Sequence, residues 1–185
     1  MQIDFNNLNM NQLSFNPGFE AKVRAFLDEW FSDSQMVTVQ TSGSTGIPKI
    51  LAIEKTRMMN SAEKTCNFLG FREGDTALLC LPVEYISGKM MVVRSIVRKL
   101  KLTVADPALQ PLGHLDHEID FCAMTPLQVE HSLDQLYRLR NLIIGGAAVS
   151  ESLKKKIAEL SLPENCRIFE TYGMSETLSH IALKK

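Results

Sequence analysis

The sequence predicts a doubly wound α/β fold with a mostly parallel sheet. Three observations carry that reading. Short β-branched or apolar runs alternate along the chain with stretches of helical periodicity. One run, Thr76-Ala77-Leu78-Leu79-Cys80-Leu81, is apolar without alternation and stops at Pro82, as expected of a strand covered on both faces. Clusters of turn-forming and hydroxyl residues recur just after predicted strands, at residues 82–88, 125–126, 145–146 and 171–176. In open α/β sheets ligands gather at such carboxyl ends.

Taken in order, residues 1–17 are rich in Asn and Gln and read as a loose leader. A helix starts after Pro17-Gly18, with Phe19, Val23, Phe26, Leu27, Trp30 and Phe31 forming one apolar stripe. Residues 36–40 are β-branched and predict a strand, and Ile50-Leu51-Ala52-Ile53 a second. A helix over 55–69 places Met58, Met59, Ala62, Cys66 and Leu69 on one side and stops at Gly70. After the apolar strand at 76–81, residues 87–100 alternate in helical fashion and 102–105 give another strand. Residues 107–118 are loop-forming, 119–124 a strand, and a helix runs from 127 to about 136. Strand 141–144 ends at Gly145-Gly146, and helix 150–160 follows with Ser150 as its N-cap. Strand 166–170 then leads into a turn at 171–177.

Composition narrows the partners. A chain of 185 residues with 45% hydrophobic content predicts one globular domain. Twenty basic residues against 21 acidic ones, with no basic block, do not indicate nucleic acid or an anionic membrane. The N-terminus lacks a signal-peptide pattern, and the longest apolar stretches are too short to cross a bilayer. Cys66, Cys80, Cys122 and Cys166 show no C-x-x-C spacing and read as buried free thiols in a reducing, cytoplasmic setting. His114 and His117 flank Asp116 but have no further ligand nearby, so a solvated loop is expected there.

One stretch carries dense chemistry. Thr41-Ser42-Gly43-Ser44-Thr45-Gly46 packs four hydroxyls and two glycines between two predicted strands, and Pro48-Lys49 follows. A glycine-rich turn exposes unpaired backbone N–H groups, the hydroxyls add donors, and Lys49 adds positive charge. Such a set suits a polyphosphate. Neither the P-loop nor the dinucleotide-binding glycine spacing fits these residues.

The stretch resembles the phosphate loop of the acyl-adenylate-forming enzymes: acyl-CoA synthetases, luciferases and peptide-synthetase adenylation domains. Two further segments fit the same family. Thr171-Tyr172-Gly173-Met174-Ser175-Glu176 resembles its Tyr-Gly-x-Thr-Glu motif, with Ser175 keeping the hydroxyl. Gly145-Gly146-Ala147-Ala148 resembles its Gly-Gly-Ala-Pro segment, with Ala148 in place of proline. The resemblance implies that Thr41, Ser42, Gly43, Ser44, Thr45, Gly46 and Lys49 hold the phosphates, with Thr45, Lys49 and Glu176 serving catalysis. It implies that Gly146, Ala147, Thr171, Tyr172, Gly173 and Ser175 border the nucleotide, with Tyr172 stacked on adenine. Glu176 would ligate Mg2+, as a hard cation on phosphate oxygens prefers a carboxylate.

Within the family, the stretch from Pro82 to Gly88 and Arg94 six places later resembles the o-succinylbenzoate–CoA ligases of menaquinone biosynthesis, as does Ser179-His180-Ile181-Ala182. Tyr85 stands where the family usually has histidine. Tyr85, Gly88, Arg94 and Gly145 are then the expected acyl-site residues. Arg94 is suited to bind a substrate carboxylate bidentately. Lys89 either snorkels to solvent or serves the same site. The implied activity joins a carboxylic acid to ATP as acyl-AMP and then to coenzyme A. Another acid–CoA ligase, an adenylation domain or a non-catalytic nucleotide-binding module remain alternatives, and a homodimer stays open. By this resemblance the chain is a single AMP-binding core domain, part of the large N-terminal domain of such an enzyme. It lacks the C-terminal lid domain and should turn over poorly alone.

Overall fold

The computed structural model describes residues 1–41, 49–113, 115–173 and 180–184. Their strands and helices alternate as expected: α1 (Phe19–Phe31), β2 (Met36–Gln40), β3 (Ile50–Glu54), α2 (Lys55–Leu69), β4 (Thr76–Leu79), α3 (Ile86–Arg98), β5 (Lys101–Val104), β6 (Phe121–Met124), α4 (Pro126–Glu130), β7 (Asn141–Ile144), α5 (Glu151–Ala158), β8 (Arg167–Gly173) and β9 (His180–Lys184). A further strand, β1 (Gln2–Asp4), precedes them. The main sheet runs β1-β5-β4-β6-β7-β8-β9, parallel from β5 through β8 and antiparallel at each edge strand. β2 and β3 form a separate antiparallel hairpin.

The uninterrupted apolar run at β4 is explained by two cores. Ala77, Leu79 and Leu81 pack among α1, α2 and α3, whereas Leu78 and Cys80 face α4 and α5 on the other side. Successive strand residues point to opposite faces, so a strand covered twice is apolar at every position. β6 and β7 divide in the same way, with Ala123 and Ile143 on the first face and Cys122, Leu142 and Ile144 on the second.

Several expectations are corrected. The leader is not loose: Ile3 is buried in the first core, and β1 pairs with β5 at Ile3↔Leu102. Its three-residue alternation was too short to show through the Asn-rich composition. Phe31 and Met59 end up half-exposed at 50% and 42%, because each lies at the margin of its helical stripe. The helix expected over 127–136 is broken into α4 and a 3-10 turn at Leu133–Arg138. The strand expected to end at 170 continues through Gly173, because β9 returns beside it as an antiparallel partner. Gly70 adopts the left-handed conformation that closes α2, at φ 73°.

The amino ends of the central strands are joined by a polar staple. Asp120 accepts from the Thr76 amide at 2.8 Å and its hydroxyl at 3.0 Å, while Arg140 bridges Asp120 and Asp75, each at 3.1 Å. Asp120→Ala leaves the Thr76 amide without that acceptor. It is expected to cost about 2 kcal/mol, read as a lower urea midpoint with unchanged slope.

Candidate nucleotide and acyl site

The parallel strands present their carboxyl ends along one edge, and most described candidates stand there. The Gly145 amide donates to the Met124 carbonyl at 3.1 Å, tying the end of β7 to that of β6. Thr171, on β8, donates its hydroxyl to the Ile144 carbonyl at 3.2 Å. A Cβ on Gly145 would lie 2.5 Å from that hydroxyl oxygen, so the two strand ends approach closely only because the residue is glycine. Gly146 takes φ 83°, with the Thr125 methyl 3.8 Å from where its Cβ would be, and Ala147 continues the turn exposed. Tyr172 is 65% exposed, beside a register shift between Tyr172 and Gly173. A large aromatic left in solvent next to a glycine ledge offers a flat binding surface.

Gln128 supports this edge, and no feature of the sequence marks it beyond its place three residues after Thr125. Thr125 and Gln128 form a capping box on α4. The Gln128 amide also donates to the carbonyls of Cys80 at 3.0 Å and Ala108 at 2.9 Å.

The phosphate-loop candidate extends from the β2–β3 hairpin. The Thr41 amide donates to the Lys49 carbonyl at 2.9 Å, and the Lys49 amide to the Thr41 hydroxyl at 3.0 Å. These two residues close the neck, and the Lys49 side chain is exposed. Ser42, Gly43, Ser44, Thr45 and Gly46 lie outside the described residues, as do Ser175, Glu176 and His114. The Gln40 amide donates to the Glu84 carbonyl at 3.0 Å, and Gln40 forms a parallel bridge with Tyr85. Tyr85 follows the end of β4, so the neck is attached at the carboxyl edge of the sheet.

Tyr85 is the N-cap of α3. Gly88 lies against the turn before it, where a Cβ would meet the Pro82 carbonyl oxygen at 2.2 Å and that of Leu81 at 2.7 Å. Arg94, six residues on, is about 9 Å further along the helix axis. It is 3% exposed, with its guanidinium 5.9 Å from the centre of the Phe121 ring, at the first residue of β6. Burial pushes its pKa down to about 10, with the Cys66 thiol opposing the shift. Arg94 thus sits deep between α3 and the sheet, below the edge that carries Tyr85 and Gly88.

Lys89 does not snorkel to solvent. It is 6% exposed, lies 3.6 Å from Glu29 and stands 4.1 Å over the Phe26 ring. It lines an open cleft of about 430 Å3 between α1, the hairpin and α3, together with Lys22, Glu29 and Glu84. The acidic members of that cleft, Glu29 and Glu84, are half-buried and lie 55 positions apart, so no local pattern marks them. The four cysteines are free thiols; Cys80 and Cys122 approach to 3.8 Å between sulfurs inside the second core. His117 pairs with Asp116 at 2.6 Å on the surface. Among the described residues no cluster of His, Cys, Asp or Glu is placed to hold a metal ion, and no helix is long and apolar enough to cross a membrane.

Comparison with known proteins bears on this edge. The sequence profile of AMP-binding enzymes matches residues 3–185. The 2-succinylbenzoate–CoA ligase of Lactococcus lactis subsp. lactis is 30% identical over 155 residues, covering 80% of this chain and 34% of that protein. The Escherichia coli K12 protein of the same name is 29% identical over 147 residues, covering 78% and 31%. The chain therefore spans about a third of the length of these curated relatives. A crystal structure of an AMP-forming acyl-CoA synthetase/AMP-acid ligase II-like protein from Dyadobacter fermentans matches all of this chain and 53% of its own, with TM-score 0.87 and 33% identity. The Bacillus subtilis o-succinylbenzoate CoA synthetase, solved with its acyl-adenylate intermediate, matches 79% of this chain and 39% of its own, with TM-score 0.67 and 25% identity.

Proposed function

This chain belongs to the AMP-binding enzyme family, and on that footing we propose that it carries the nucleotide and acyl face of a ligase joining o-succinylbenzoate to coenzyme A through an acyl-AMP. The observation that carries the reading is the convergence on one sheet edge of the Gly145 ledge, the exposed Tyr172 ring and the Thr41/Lys49 neck. The relatives named 2-succinylbenzoate–CoA ligase support the choice of acid.

In this reading Tyr172 stacks on adenine, while Gly145, Gly146 and Ala147 let backbone approach the base. Thr171 and Gly173 hold the strand end in place, and Ser175 bonds the α-phosphate. Thr41, Ser42, Gly43, Ser44, Thr45 and Gly46 cradle the polyphosphate. Lys49 neutralises its charge as the carboxylate oxygen attacks the α-phosphorus and pyrophosphate leaves. The glycine ledge and open ring fit a nucleotide, and Glu176 is the carboxylate that would hold the Mg2+ entering with ATP. When bound, that ion spreads negative charge on the phosphate oxygens. The acid enters beside Tyr85 and Gly88, and its distal carboxylate meets Arg94. A guanidinium buried this deeply favours a bidentate carboxylate over water. In the second step the thiol of coenzyme A displaces AMP from the acyl carbon.

The test is a calorimetric titration with a sulfamoyl mimic of o-succinylbenzoyl-AMP beside an aliphatic acyl mimic. The aromatic dicarboxylate form is expected to bind more tightly by about 10- to 100-fold, the worth of a charge-assisted bond, and Arg94→Ala is expected to abolish the preference. Equal binding of the two mimics would sink the substrate assignment and keep the nucleotide site. Binding of neither would sink both for this chain.

A further inference from the structure

The hairpin that carries the phosphate-loop candidate is not part of the main sheet, so something else must fix its direction. A two-stranded ribbon has an open edge on each strand. On β2, the amides of Val37 and Val39 alternate with those of Thr38 and Gln40, and the latter pair faces away from β3. The outward amides of Thr38 and Gln40 are both occupied by neighbouring elements. The Thr38 amide and hydroxyl donate to Glu29 Oε1 at 2.7 and 2.8 Å, and the Gln40 amide donates to the Glu84 carbonyl at 3.0 Å.

Each of these glutamates is held by a lysine from the opposite element. Glu29 of α1 faces Lys89 of α3 at 3.6 Å, and Glu84, in the turn before α3, faces Lys22 of α1 at 2.5 Å. Lys22 and Glu29 are seven residues apart, which puts them on one face of α1. The signs are therefore reciprocal: α1 gives a cation and then an anion, and the turn before α3 gives an anion and the first turn of α3 a cation. The two pairs differ in burial. Lys22 is exposed, and an exposed pair contributes little. The Lys89 side chain is 8% exposed, and its ammonium rests on the Phe26 ring. Burial pushes the Lys89 pKa down while Glu29 opposes the shift. A buried cation is costly to leave without its anion.

We propose that Glu29 and Lys89 are positioning residues. With Lys22 and Glu84 they clasp the outer edge of β2 onto α1 and α3, and so aim the Thr41/Lys49 neck at the carboxyl edge of the sheet. The clasp joins the element that would bind phosphate to the helix that carries Gly88 and Arg94, without either residue touching the ligand. Its functional consequence rests on the reading of the hairpin given above.

Amide hydrogen exchange by NMR on the full chain tests this, followed by titration of the same samples with Mg·ATP. Glu29→Ala is expected to speed exchange at Gln40, Thr41 and Lys49 by about tenfold or more, while Ala123 and Ile143 in the central strands stay unchanged. Those three hairpin amides keep their own acceptors in the variant, so faster exchange there reports release of the whole neck. Glu29→Gln retains an acceptor for Thr38 but not the charge facing Lys89, and is expected to restore part of the protection. Lys89→Met is expected to follow the pattern of Glu29→Ala more weakly. The Mg·ATP dissociation constant is expected to rise about tenfold in Glu29→Ala and to recover in part in Glu29→Gln. Unchanged exchange at Gln40, Thr41 and Lys49, or a rise shared by Ala123 and Ile143, would overturn the clasp. If the exchange pattern appears and the parent chain binds no Mg·ATP, the clasp stands and the phosphate-binding reading falls.

Discussion

Gly88→Ala is expected to lower the melting temperature by roughly 6–12 °C, because it forces a methyl into backbone. The added carbon would meet the carbonyl oxygens of Pro82 and Leu81 at 2.2 and 2.7 Å, distances that no side-chain rotation can relieve. Either α3 lifts off the turn or the turn itself shifts. Overpacking of this kind costs about 3 kcal/mol. For a chain of this size, each kcal/mol corresponds to roughly 2–4 °C. The damage should also reach the site, since Glu84 in that turn receives the Gln40 amide and Tyr85 caps the helix. Differential scanning calorimetry checks the first part, and titration with the acyl-adenylate mimic checks the second. A variant melting within about 2 °C of the parent would show that the turn is far more pliable than this geometry implies.

Tyr172→Ala should do the opposite: little to stability, much to binding. The ring is 65% exposed, so its removal is expected to change unfolding free energy by no more than about 0.5 kcal/mol. If it stacks on adenine, the lost contact is worth about 1–3 kcal/mol, or roughly 5- to 150-fold in the dissociation constant for the mimic. Tyr172→Phe keeps the face of the ring and should bind within about twofold of the parent. Equal binding by all three proteins would remove adenine from this position. A stability loss comparable to the binding loss would instead mark the ring as a packing element of β8.

Much of the scaffold is legible in the chain because burial leaves a local signature. The continuous apolar run at β4, the glycine that closes α2 and the serine that caps α5 each express a requirement met within a few residues. The candidate site is legible for a related reason. Hydroxyls and glycines crowd residues 41–46, 145–146 and 171–173 at a density that an apolar core does not call for, so their chemistry shows in the sequence itself. β1 and β9 are harder to read, since a short edge strand is defined by its neighbour more than by its own composition.

The alternating layers, the double covering of the central strands and the family to which the chain belongs are written in the order of its residues. The burial of Lys89 against Glu29, the depth of Arg94 over Phe121 and the closing of Thr171 on Gly145 arise on folding alone. Each of these depends on residues dozens of positions apart meeting in one place. Charge burial and close backbone approach are properties of the surroundings, and a side chain carries no mark of its surroundings until the chain has folded.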